Sequence, residues 1–194
     1  RFGVSQKLLS LCGLLALLLT LVPAAAAAGT DGLRDSGSTS MEKLTKEEIA
    51  HLLEQNPDTM PEQVYAVQPS TSAPYAVGQV STQALQRATD RLNALRRLAG
   101  VPEVTLDSAL CENAQYGAVL MAANGGISHA PGKPADMDQA FYQQGYETAS
   151  SSNLYAGVTL TTAPDGFMDD SDASNISRVG HRRWQLNPTM GKVG

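Results

Sequence analysis

Leu85, Ala88, Leu92, Leu95 and Leu98 recur at steps of three and four residues, while Arg87, Arg91, Arg96 and Arg97 fall largely elsewhere on the wheel. That period predicts an α-helix with one buried stripe. Ser81 is placed to cap its start, and Gly100 with Pro102 to stop it. After a short extended piece, Val104-Thr105-Leu106, Asp107 or Ser108 opens a second helix. Its inner face reads Leu110, Ala114, Gly117, Ala118 and Met121, small enough for another backbone to come close, and Gly125-Gly126 ends it. Upstream, Thr45-Lys46-Glu47-Glu48 fits a capping box ahead of a short stripe of Ile49, Leu52 and Leu53. Downstream, the pattern predicts a short helix around Met137 to Gln143 and an extended stretch from Asn153 to Leu160. A helix opened by Thr162 then carries Phe167 and Met168 to about Asp170, and a last helix runs from Ile176 to Leu186, closed by Asn187-Pro188.

The first 28 residues have a different pattern. Arg1 and Lys7 precede an apolar run from Leu8 to Val22, Pro23 breaks it, and Ala24 to Ala28 offer small side chains to a peptidase. This is the layout of a secretory signal peptide, and the run is shorter than the roughly 20 residues of a membrane span. The mature chain is therefore expected to be secreted or cell-surface, without a transmembrane helix. Cys12 lies in the removed segment, so Cys111 is left as the single thiol of the mature chain and no internal disulfide can form. Thr30 to Ser40 is Gly-, Ser- and Thr-rich, and Asn56 to Gly78 carries Pro57, Pro61, Pro69 and Pro74. Residues 29–80 thus read as linker with a short helix near 45–56, and 81–194 as the folded unit. Gly191-Lys192-Val193-Gly194 reads as the approach to a strand, so the sequence is expected to be a fragment.

The net charge of −5 becomes more acidic by two once Arg1 and Lys7 leave. Neutralising phosphates needs a surplus of Lys and Arg, so a nucleic-acid partner is excluded. Chemistry is sparse. The 3 histidines are His51, beside linkers; His129, in the loop Gly125-Gly126-Ile127-Ser128-His129; and His181, in Gly180-His181-Arg182-Arg183-Trp184. None forms a local metal motif. Ser128 lacks a Gly-x-Ser-x-Gly elbow, and Cys111 sits on the core stripe. Asp169, Asp170 and Asp172 fail the calcium-loop pattern, because counting from Asp170 puts Asn175 at the glycine position and His181 at the glutamate position. Those carboxylates read instead as caps in a break between helices, with Arg182 and Arg183 as partners. From the residues alone, the chain is an exported helical domain with two loosely indicated histidines.

Four segments together carry more: Leu92-Asn93-Ala94-Leu95-Arg96-Arg97-Leu98-Ala99-Gly100, the small-residue helix ending at Ser128-His129, Ser152-Asn153-Leu154, and Gly180-His181-Arg182-Arg183-Trp184-Gln185-Leu186-Asn187-Pro188. From about Ala84 to Gly194 the chain resembles the bacterial branch of the CAP superfamily, the SCP-like extracellular domains related to cysteine-rich secretory proteins, antigen 5 and pathogenesis-related proteins. The resemblance implies an α+β fold, an α-β-α sandwich around a central antiparallel sheet whose later strands would follow Gly194. It also implies a cleft in which His129 and His181 are the two histidines, lined further by Ser152 and Asn153. Many members have Glu-Asn where this chain has Ser152-Asn153, and Asp169 or Asp170 is the candidate for the second acid. With two imidazoles and few carboxylates, zinc is favoured over another divalent metal at His129 and His181. A serine hydroxyl does not replace a carboxylate base. The leading expectation is accordingly a binding module for a lipid, peptide or cell-wall ligand. The alternatives are a metal-assisted extracellular hydrolase using the same two histidines, and a structural spacer in a larger surface protein.

Overall fold

The computed structural model describes residues 43–194, so the expected signal peptide and the Thr30–Ser40 linker lie outside the described residues. The first element, α1 (Lys46–Gln55), starts on the capping box: the Thr45 hydroxyl accepts from the Glu48 N–H and the Glu48 carboxylate from the Thr45 N–H. It buries no residue, and His51 stands in solvent. The proline-rich segment that follows does more than tether. It contributes β1 (Tyr65–Val67) and β2 (Gln79–Val80), paired antiparallel. Val80 packs with Ala84, Ala88 and Leu160, and Met60 and Tyr65 close over them.

Helix α2 (Thr82–Leu98) follows its apolar stripe. The Ser81 hydroxyl accepts from the Ala84 N–H at 3.2 Å and donates to the Gln63 carbonyl at 2.7 Å, so one side chain caps the helix and pins the preceding arm. Leu92 is at the centre of the largest apolar cluster, with Val104, Ala163, Phe167, Met190 and Val193. The Asn93 side chain both donates to and accepts from the Val104 backbone at 2.9 Å, which fixes the approach to β3 (Thr105–Leu106). β3 pairs in parallel with β4 (Lys192–Val193).

Helices α3 (Ser108–Ala123) and α4 (Gln139–Ser151) cross closely. A Cβ on Gly117 would lie 2.6 Å from Thr148 Cγ2, and one on Gly145 would lie 2.9 Å from the Tyr116 carbonyl oxygen. The small stripe therefore does what its sequence predicts: it brings the backbones together. α4 starts two residues later than the expected helix and runs eight residues further, because Gly145 and the serines from Ser150 onward read locally as loop. The stretch 153–160 forms no strand. α5 (Ala163–Asp169) matches expectation, whereas the last helix, α6 (Gly180–Gln185), is shorter at its N-terminal end because Val179 adopts a left-handed conformation at φ 47°. No described helix is long and apolar enough to cross a membrane. Helices with short paired strands make this an α+β fold.

Arg96 ties these pieces together. It is fully buried, though the wheel places it away from the leucine stripe. Its guanidinium donates to the carbonyls of Pro102 at 2.7 Å, Gln185 at 2.5 Å, Asn187 at 3.0 Å and Met190 at 3.4 Å. Removing the cation would take the donor from the carbonyls of Pro102, Gln185 and Met190, while Asn187 would keep the Met190 N–H. Arg96→Met is expected to cost about 3–5 kcal/mol of stability, read as the shift of the urea midpoint. A loss under about 1 kcal/mol would contradict this role.

Candidate functional site

His129 and His181 reach the same place from opposite parts of the chain. Gly125, at φ 73°, ends α3 and turns the chain into the loop that carries His129. The His129 Nδ1 lies 2.8 Å from the Ala149 carbonyl near the end of α4. A carbonyl only accepts, so Nδ1 carries a proton, and in the neutral ring the lone pair is on Nε2. His181 stands in the first turn of α6, with its ring centroid 5.4 Å from that of the fully buried Phe167. Its Nδ1 lies 2.8 Å from Asp170 Oδ1, and a carboxylate partner imposes the same tautomer.

Asp170 is held as tightly as the histidine it orients. It is 3% exposed, ends α5 in a left-handed conformation at φ 46°, and accepts from the Arg182 N–H at 3.2 Å through its second oxygen. The Arg182 guanidinium, expected to pair with carboxylates, instead donates to the carbonyls of Met168 at 2.5 Å and Asp169 at 2.8 Å. Those are free carbonyls at the C-terminal end of α5, where a cation is favoured. Of the two candidate acids, Asp170 contacts the histidine, while Asp169 takes the Ser171 hydroxyl.

Ser152 and Asn153 differ in what they offer. Ser152 is buried, and its hydroxyl donates to the Thr148 carbonyl at 2.5 Å. Asn153, also buried, donates to the His181 carbonyl at 3.1 Å and so joins the end of α4 to α6.

Both histidines line two adjoining cavities. One, about 550 Å³, carries Asp169, Asp170 and Asp172 on its wall; the other, about 360 Å³, runs between the end of α4 and α6 and includes Ser152, Asn153 and Trp184. Among the described residues, one group has ligand atoms close enough to share an ion: Asp170, Asp172 and His181, within 4.8 Å of one another. His129 is outside that group, although it lines the same cavity. One imidazole nitrogen with two carboxylates suits zinc or a harder divalent cation. The carboxylates already accept hydrogen bonds, Asp172 from Ser174 and Asn175, and each retains lone pairs for an ion. Asp172 could have been noticed in the sequence only as one more acid in a cap-like break. Cys111 stands apart, half-buried on α3; burial first and the charge of Asp107 second push its thiol pKa up, away from the reactive thiolate.

The tautomers give a direct check. Long-range ¹H–¹⁵N spectra of the neutral imidazoles are expected to show protonated Nδ1 and bare Nε2 at His129 and His181. In Asp170→Asn the preference should weaken at His181 and persist at His129. Equal responses at the two rings would contradict the separate anchoring described here.

Beyond its own geometry, the chain matches the family model for CAP, the cysteine-rich secretory protein family, over residues 89–194. Comparisons with curated proteins and with solved structures returned no match. The matched region takes in α3 to α6 and both cleft histidines. By that match the chain belongs to the cysteine-rich secretory protein (CAP) family.

Proposed function

We propose that this CAP-domain chain is a secreted or cell-surface binding module whose ligand enters the cleft lined by His129 and His181. The observation that carries the reading is the paired anchoring of the two imidazoles. Each is held at Nδ1 by its own partner, and each keeps an Nε2 lone pair beside a shared cavity. Preorganised polar groups in a concave site recognise a ligand at low entropic cost. Ser152 supports binding over turnover, because a hydroxyl donating to the Thr148 carbonyl offers no general base. Lipid, peptide and cell-wall ligands remain the candidate partners.

A metal-assisted hydrolase is the second reading, favoured by the convergence of Asp170, Asp172 and His181. A divalent ion there would act as a Lewis acid on a bound water or carbonyl. In that case Asp170, Asp172 and His181 would hold the ion, and His181 would give up its Nδ1–H bond to Asp170 to ligate it.

The two readings separate experimentally. Titration with soluble cell-wall fragments, lipid vesicles or peptides is expected to shift the Hε1 signals of His129 and His181 together with saturation, leaving His51 unmoved. His129→Ala/His181→Ala should abolish that binding in a folded chain. Product formation that either histidine substitution removes would overturn the binding reading. For the hydrolase, calorimetric zinc titration should show one site that is lost in Asp172→Asn; no zinc heat from the folded chain would end that reading.

A further inference from the structure

The two lobes of the cleft differ in chemistry. The 550 Å³ lobe is acidic, whereas among the described residues no carboxylate lines the 360 Å³ lobe between α4 and α6. On the latter wall is Trp184, the only tryptophan of the chain, left 43% exposed. A large aromatic side chain half in water on a concave wall retains a free face.

Around it are groups whose hydrogen-bonding capacity is partly used, and used in one direction. The Ser150 and Ser151 hydroxyls donate back to the Glu147 carbonyl at 3.0 and 2.8 Å, which leaves their oxygens to accept. Asn153 and Asn175 spend an amide N–H on the His181 carbonyl and on Asp172, at 3.1 Å each, leaving both Oδ1 atoms to accept. Arg178, which like Asn175 lines both lobes, has no side-chain hydrogen-bond or ion-pair partner among the described residues, so its donors are free.

An aromatic face, several acceptors and one multi-donor cation, with no carboxylate between them, match a ring that has C–H bonds on its face and hydroxyls at its edge. The C–H groups carry slight positive charge and meet the negative face of the indole. The hydroxyls can donate to serine and amide oxygens and accept from arginine. An acyl chain would leave those polar groups unpaired. The lobe is also near the small end of ligand pockets, which run from about 300 to 1,000 Å³.

We infer that this lobe is a saccharide subsite in which Trp184 stacks on a pyranose ring and Ser150, Ser151, Asn153, Asn175 and Arg178 take its hydroxyls. The inference names the ligand class for the cleft and rests on the binding reading above.

The lone tryptophan makes the test direct, since intrinsic emission reports this wall alone. The full chain is titrated with N-acetylchitotriose and with cellotriose. A saturable change in Trp184 emission is expected with at least one of them. Arg178→Gln and Ser150→Ala/Ser151→Ala should each weaken it about tenfold. Calorimetry with Trp184→Ala, shown folded by circular dichroism, should find no binding. No saturable change with either trisaccharide, or binding that Trp184→Ala leaves intact, overturns the subsite. If the saccharides fail while His129 and His181 still respond to vesicles or peptides, the subsite is wrong and the cleft reading stands. If saccharide binding leaves both histidine signals unmoved, the sugar is outside the lobe that the histidines line, and the subsite is overturned.

Discussion

A buried guanidinium with no carboxylate partner among the described residues organises the C-terminal part of this domain. Arg96 gives its donors to four carbonyls: Gln185 is the last residue of α6, and Asn187 and Met190 lie between α6 and β4. Carbonyls at a helix end and in the connection beyond it lack the next turn or a ladder to satisfy them fully, and burying them unpaired would be costly. Burial lowers the pKa of Arg96 from the ordinary guanidinium value, yet a guanidinium stays charged in proteins. The cation therefore works as a five-donor template around which the chain closes. Its consequence for function is positional: the contact at Gln185 fixes the end of α6, and α6 carries His181.

The other half of the cleft is built on proximity. Gly117 and Gly145 let α3 and α4 approach until a methyl group would no longer fit, and this sets the Ala149 carbonyl that holds His129. Asn153 then joins the halves through the His181 carbonyl. Backbone strain gathers at the junction. Asp170 and Val179 both take left-handed conformations, and Val179 is β-branched, for which that region is least favourable. Each such residue costs on the order of 1–3 kcal/mol, which the surrounding contacts must offset. Strain flanking the element that carries His181 fits a segment selected for where it places a side chain.

The helices were legible wherever caps and stripes agreed. Ser81, Asp107, Gly100 and Gly125 mark the ends of α2 and α3 in the sequence as they do in the fold. Legibility failed where long-range contacts override local preference. The end of α4 contains Gly145 and a run of serines, and its stability comes from α3 rather than from its own propensity. The proline-rich arm read as linker because its partners, β2 and the base of α2, are defined by pairing and not by composition. Arg96 was indistinguishable from its solvated neighbours, since its acceptors are backbone carbonyls that no sequence pattern displays. The convergence of His129 and His181 was likewise invisible in a spacing of 52 positions and came only from the resemblance of the surrounding segments. The same resemblance narrowed the second acid to Asp169 or Asp170.

The central claim is that Arg96 positions His181 while the α3–α4 pair positions His129 independently. Its most direct test is the imidazole ¹⁵N pattern of Arg96→Lys, which keeps the charge but cannot reach four carbonyls. The account predicts that the protonated-Nδ1 signature of His181 becomes averaged in that variant while the signature of His129 stays as in the parent chain. Unchanged signatures at both rings in a folded Arg96→Lys protein would contradict it.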